Sequence, residues 1–301
     1  MSRSTNKKLI SVIIVAAISV GAITLIFNTP SVEKSLNTIE QTEISINETV
    51  SIQENVDLQE SESVATSKLE SKQTPTQLRA AIIDQVHNDL PNFKFQADAQ
   101  RMLEDAGYEV DLYITDEITV DFYKNLPSMN YHFILIRSHG GEDLSYEYPT
   151  RLFTGEKYSK EKYTTEQIYR QVGWGYPIYQ EEYEKLKESD QDIFDNAYFT
   201  IGSEMIDDGM VGTFPDSIII IGGCQSARSH DLMESLIKRG ASQVLGWAAT
   251  IESKDNDRAM IWLLEEILVK EVSIRDAVAE INKEMIHDFE YSNLLKVMTA
   301  V

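Results

Sequence analysis

The sequence predicts an α/β domain built on a mostly parallel sheet. Three observations carry this. Residues 79–137 run strand, helix, strand, helix, strand. The same alternation resumes at Ser217 and continues to the last helix. Two of the apolar strands end in small residues, one with His139 at its tip and one with Cys224. Alternating strands and helices imply parallel pairing with right-handed crossovers.

The chain has 301 residues, and not all of them can be core. Residues 1–8 carry Arg3, Lys7 and Lys8. Residues 9–27, Leu9 to Phe27, are apolar or small and uncharged, close to the roughly 20 that a membrane-spanning helix needs. The basic flank predicts a single-pass anchor, with the N-terminus cytoplasmic and the C-terminal domain extracytoplasmic. A cleaved signal peptide is the alternative, but the run is long for one. Residues 28–77 are rich in Ser, Thr, Glu, Gln and Asn. Such a composition cannot bury enough surface to offset the entropy of ordering, so it predicts an acidic, disordered stalk. Asn47-Glu48-Thr49 fits the N-glycosylation pattern.

Residues 78–301 hold the globular domain. Arg79–Asp84 is the first strand. Asn92 to Ala106 has helical spacing at Phe95, Ala99, Met102 and Leu103, closed by Gly107. Tyr108–Ile114 alternates as the second strand. Thr119–Leu126 is a short helix stopped by Pro127, and Tyr131–Arg137 is the third strand. Residues 142–216 break the pattern and form an insertion. Within it, Thr164–Gln171 is a helix or part of a hairpin, and Tyr179–Leu186 has helical character. Tyr198–Gly202 and Gly209–Phe214 are expected to pair as a hairpin. Lys157, Lys160 and Lys162 are expected self-cleavage points if the site takes basic residues.

The regular order returns with strand Ser217–Ile221, a helix Ser229–Lys238 started by Ser229 and ended by Gly240, and strand Gln243–Ala249. Asn256–Lys270 is an amphipathic helix. Ser273 caps the next, Ile274 to His287, with Asp276 in its first turn. Phe289–Val301 has no clear period.

Sites in open parallel sheets form beyond the carboxyl ends of the strands. His139 and Cys224 are both expected there, on neighbouring strands. A thiol of reference pKa about 8.5 is mostly protonated at neutral pH. A nearby imidazole takes its proton and makes it a nucleophile. Gly140 and Gly141 let backbone N–H groups approach a substrate. With the N–H of Cys224, one of them can hold an oxyanion. Among the other histidines, His87 is the reserve base. His132 starts its strand away from the carboxyl ends, His230 begins a helix, and His287 lies near the end of one. Cys224 is the sole cysteine, so no disulfide forms within the chain. The net charge of −22 argues against nucleic acid as a partner.

These motifs resemble the caspase-like (clan CD) cysteine peptidases. The shared features are strand-Ser138-His139-Gly140 and strand-Gly223-Cys224-Gln225-Ser226. The cysteine motif is most similar to the separase and CHAT version. Gly240-Ala241, strand to Trp247, then Asp255-Asn256-Asp257-Arg258 before a helix is similar to the same group. The resemblance covers residues 79–282, with the insertion unmatched. It implies a three-layer caspase-like sandwich and an endopeptidase with a Cys-His dyad. His139 would be the base and acid, Cys224 the nucleophile, and the N–H groups of Gly140 and Cys224 the oxyanion hole. It implies no metal or cofactor in the chemistry, although calcium activates some members. The substrate would be a protein or peptide with a basic residue before the scissile bond, held by Glu252, Asp255 or Asp257. Acids there also favour a helix start. Gly222 stands where metacaspases carry a pocket Asp. Two other readings compete: an inactive caspase-like binding module on a stalk, and an amidotransferase-like thiol hydrolase. In the latter the His follows the Cys, whereas here it precedes it.

Overall fold

The computed structural model describes residues 27–28, 77–142, 150–177, 194–288 and 295–300. All of the expected stalk but its end residues 28 and 77, and all but the last residue of the expected anchor, lie outside these. So does all of Tyr179–Leu186. Among the described residues no helix is long and apolar enough to cross a membrane.

In chain order the first strands and helices are β1 (Arg79–Asp84), α1 (Phe93–Asp105), β2 (Glu109–Ile114), α2 (Val120–Asn125) and β3 (Phe133–Arg137). The insertion supplies β4 (Gly140–Glu142), β5 (Thr150–Lys157), α3 (Thr164–Ile168), β6 (Val172–Gly175) and β7 (Tyr198–Ile201). There follow β8 (Ser217–Gly222), α4 (Asp231–Lys238), β9 (Ala241–Trp247), α5 (Ser253–Leu264), α6 (Ile274–Asp288) and β10 (Leu295–Thr299).

The main sheet has six strands in the order β10-β9-β8-β3-β1-β2. All neighbours are parallel except β10, which runs antiparallel to β9. Both faces are covered, which is why the strands read as continuous apolar runs. Ala81, Ile83, Ile134, Ile136, Ile219 and Ile221 face α2, α4 and the insertion. Their alternating neighbours Ala80, Ile82, Phe133, Leu135 and Ile220 face α1, α5 and α6. This is an α/β fold with a mostly parallel mixed sheet, compatible with a three-layer sandwich. Ile220 sits in the inner layer at 1 % exposure, where truncation to Ala costs about 2–5 kcal/mol.

Caps explain the helix limits. Asn92 accepts from the Phe95 N–H at 3.0 Å to start α1. Thr119 does the same for Phe122 at 3.1 Å at α2. Ser273 accepts from Asp276 N at 3.2 Å at the start of α6. Pro127 does end α2, but it sits in a 3-10 turn, Leu126–Met129, that continues from it.

Several sequence expectations are corrected. Tyr198–Ile201 pairs with β5 and β6, not with residues 209–214. Residues Met205–Gly209 form a π-type turn instead, because Met205 and Ile206 are buried against the core. His230, not Ser229, holds the N-cap position of α4. Helix α5 starts at Ser253 and passes into a π turn, Glu265–Val269. The unassigned C-terminal stretch supplies the antiparallel edge strand β10.

The insertion forms a second, antiparallel sheet in the order β6-β7-β5-β4, with Phe27–Asn28 pairing at the β6 edge. Because β4 follows His139 directly, this sheet is anchored at the carboxyl end of the main one.

Candidate active site

Strands β3 and β8 are neighbours, with Arg137 opposite Gly222. Just beyond that pair, the Ser138 N–H donates to Gly222 O at 3.4 Å. Two residues past the matched pair, each strand delivers its chemistry: His139 from one and Cys224 from the other. Both line a cavity of about 340 Å³, together with Val86, Leu90, Ile251, Glu252 and Asn256.

The turn at Cys224 is held by small residues and two polar braces. A Cβ on Gly140 would lie 2.7 Å from the Cys224 carbonyl oxygen. Only glycine lets β4 begin so close to the cysteine. A Cβ on Gly222 would strike the Met260 sulfur and come within 2.8 Å of Asn256 Oδ1. Gln225 takes a left-handed conformation, φ 59°. Buried Ser226 then bridges the diverging strands: its hydroxyl donates to Ile221 O at 3.1 Å and accepts from Trp247 N at 2.9 Å. Asn256 is the second brace, donating to Gly222 O at 3.3 Å and accepting from the Trp247 indole at 2.8 Å.

The Cys224 thiol is half-buried, with Sγ 3.5 Å from Ile251 O. Burial pushes its pKa up, and backbone hydrogen bonding at Ile251 and at Cys224 itself offsets part of that. His139 is held from three sides. Its backbone N–H donates to Gln85 Oε1 at 3.0 Å. Its ring meets the Phe153 ring edge-on at 5.9 Å. Its Nε2 lies 3.7 Å from Asp89 Oδ2. That contact holds the Asp89 carboxyl below the usual carboxylate range, with partial burial working against it. At 3.7 Å the pair is an ion contact when His139 is protonated, not a tight hydrogen bond.

Strand pairing sets the direction of the backbone donors. Phe153 N donates to His139 O at 3.2 Å, and Gly140 pairs with Leu152 in the next register position. Antiparallel pairs alternate between bonded and non-bonded, so the Gly140 N–H turns away from β5.

Beneath His139 lies a buried ionic network. Arg137, 2 % exposed, bonds Asp257 through Nε at 2.6 Å and Nη2 at 2.9 Å, and Asp84 through Nη1 at 2.9 Å. It also donates to Leu90 O at 2.8 Å. Burial works against its charge, and the contacts with Asp257 and Asp84 outweigh that.

The three acids expected to receive a basic side chain separate. Glu252 lines the cavity at the N-cap of α5. Asp255 is buried, 4.0 Å from Arg258. Asp257 is committed to Arg137 and to Asn92, whose amide donates at 2.8 Å. Asp255 and Asp257 are both buried within the first turns of α5, whereas Glu252 stands before the helix at the cavity. His87 is engaged with Gln96, 2.7 Å from Nδ1, and with the Phe93 ring. It is not among the residues lining the cavity. His132 receives the Arg79 N–H at 3.4 Å at the opposite end of the sheet. His287 lies in the last turn of α6. Of the proposed cleavage points, Lys157 stacks on Tyr198 at 3.8 Å, Lys160 on Phe194 at 4.0 Å, and Lys162 pairs with Glu156 at 2.8 Å.

Sequence reasoning missed Asp89, Gln85 and the Arg137 network. Asp84 and Arg137 carried a signal, because each closes an apolar strand with a charge. Asp89, in a turn, carried none. Among the described residues no group of three or more His, Cys, Asp or Glu side chains is arranged to hold a metal ion. No protein-family model matches the chain, and no curated protein matches it in sequence.

Proposed function

We propose that this chain is a cysteine endopeptidase of the caspase-like type, cutting proteins or peptides after a basic residue. One observation carries the reading: adjacent parallel strands deliver His139 and Cys224, in matched register, to one cavity. The strand-tip motifs and the chain order, His before Cys, support the caspase-like assignment over an amidotransferase-like one. The N-terminal apolar run supports a single-pass membrane anchor carrying the domain outside the cytoplasm on a stalk.

In this reading His139 takes the Cys224 proton as sulfur attacks the scissile carbonyl carbon. A C–S bond forms, and the Gly140 and Cys224 N–H groups receive the oxyanion. The imidazolium gives its proton to the leaving amine as the C–N bond breaks. Water then attacks the thioester, His139 takes its proton, and the acid product leaves with the thiol restored. A basic side chain is favoured by charge. Glu252 lines the cavity, and the buried network below carries two carboxylates against one guanidinium. Calcium activation is an open expectation of the resemblance, and no metal is required by these steps.

A second reading, an inactive binding module, draws on the Cys224 thiol, whose hydrogen bond goes to Ile251 O and whose pKa is raised. The test separates them. The full chain in detergent is assayed on fluorogenic peptides varied at P1, with Cys224→Ala alongside. Cleavage after Arg or Lys, abolished in the variant, is expected. Failure to cleave any peptide, with reductant and with or without calcium, favours the binding module.

A further inference from the structure

From the contact between the two side chains we infer that Asp89 is the positioning residue of the dyad, fixing the His139 ring so that Nδ1 is left for the Cys224 thiol. The inference rests on the peptidase reading above. Nothing in the sequence marked Asp89, and it enters through geometry alone.

An imidazole has two nitrogens, and the partner of one decides which task the other performs. Nε2 of His139 faces Asp89 Oδ2 at 3.7 Å. The backbone of His139 is fixed separately by Gln85, and one face of the ring by Phe153. What remains is rotation about the side-chain bonds, and Asp89 is the charged group placed to stop it. Among the described residues Asp89 is the acid in ion-pair contact with the His139 ring. Arg137 is engaged with Asp84, Asp257 and Leu90 O below the ring. Glu252 and Cys224 line the cavity with His139. Lys157, reaching from the insertion, acts electrostatically on Asp89 and helps keep it ionised. Asp89 is also half-exposed, at 52 % of its side chain, so packing gives little reason for its place. When His139 takes the thiol proton, the resulting cation has a carboxylate at ion-pair distance on its far side.

The test uses the full chain and the variants Asp89→Asn, Asp89→Glu and His139→Ala. Two readouts are taken: peptide cleavage, and the rate at which iodoacetamide alkylates Cys224. Asp89→Asn is expected to lower kcat roughly tenfold to a hundredfold with KM held, as a displaced group does. Asp89→Glu restores most of it, and the melting temperature of both stays near that of the parent. Alkylation should slow in Asp89→Asn in the same direction as in His139→Ala. If His139→Ala slows alkylation and Asp89→Asn does not, the positioning role is wrong while the dyad stands. If neither variant changes alkylation, both ideas fall. If no peptide is cut but both variants slow alkylation, the positioning role holds and the peptidase reading is lost.

Discussion

Removing Arg137 should destabilise the domain more than most single substitutions. Its guanidinium is 2 % exposed and makes three hydrogen bonds to two carboxylates, at 2.6, 2.9 and 2.9 Å. Asp84 is fully buried and Asp257 nearly so. Arg137→Met keeps the aliphatic stem and deletes the charge. It leaves two buried carboxylates without the guanidinium that pairs them. Breaking a buried pair this way costs about 3–5 kcal/mol. For a domain of this size that is a fall of roughly 6–20 °C in melting temperature. Denaturation followed by tryptophan fluorescence, with Trp247 buried near the network, reads it directly. The control is the triple variant Arg137→Met, Asp84→Asn, Asp257→Asn. The groups share one network, so their effects are not additive. The triple should recover most of the loss, because no charge is then stranded. A single variant that melts within about 2 °C of the parent would show that water or rearrangement relieves the carboxylates, and the idea of a rigid floor beneath His139 would be wrong.

Ser226→Ala deletes the hydroxyl that bridges Ile221 O and Trp247 N, and should cost about 1–3 kcal/mol in urea unfolding; an unchanged midpoint would deny the brace. Gly140→Ala places a methyl 2.7 Å from the Cys224 carbonyl, so the variant should fold but lose most peptide cleavage, and undiminished kcat counts against the proposed oxyanion site. The Cys224 thiol titrates above its ordinary value because it is buried. In the unfolded chain it ionises first, so its contribution to stability is full below about pH 8.5 and fades as pH rises through the folded value. Cys224→Ser should flatten that alkaline decline, and a parallel decline in both proteins would remove Cys224 as its cause. Glu252→Gln should raise KM for peptides with Arg before the scissile bond, and leave KM for a neutral analogue alone; equal effects on both would take Glu252 out of the specificity.

The parts legible in sequence are those governed by local chemistry. Strand β1, helix α1 and the helix after Ser273 were readable because period, cap and breaker agree there. The neighbouring placement of His139 and Cys224 was also readable, because both strands are apolar on both faces and must lie inside the sheet. The insertion was not. Its strand Tyr198–Ile201 pairs with β5, far away in sequence, and such pairing leaves no local trace. Tertiary partners of the helix-start acids were the other limit. Asp255 and Asp257 both read as helix-start acids, but Asp257 is spent on Arg137, which no spacing rule could reveal.

The same network ties the floor of the cavity to four separate segments. Asp84 ends β1, Leu90 follows in the next turn, Arg137 ends β3, and Asp257 belongs to α5. Asn92, the cap of α1, adds a fifth through Asp257. Strands end here, so their last carbonyls and amides have fewer ladder partners, and side chains must do the joining. A buried guanidinium suits this, because its planar fork engages several acceptors at fixed angles. Hydrophobic residues could fill the same volume with equal stability, but without that directional fixing. The residue two places along from Arg137 is His139, and its backbone inherits the fixed exit of β3. The network is therefore best understood as a device for placing the histidine, with its stability as a secondary consequence.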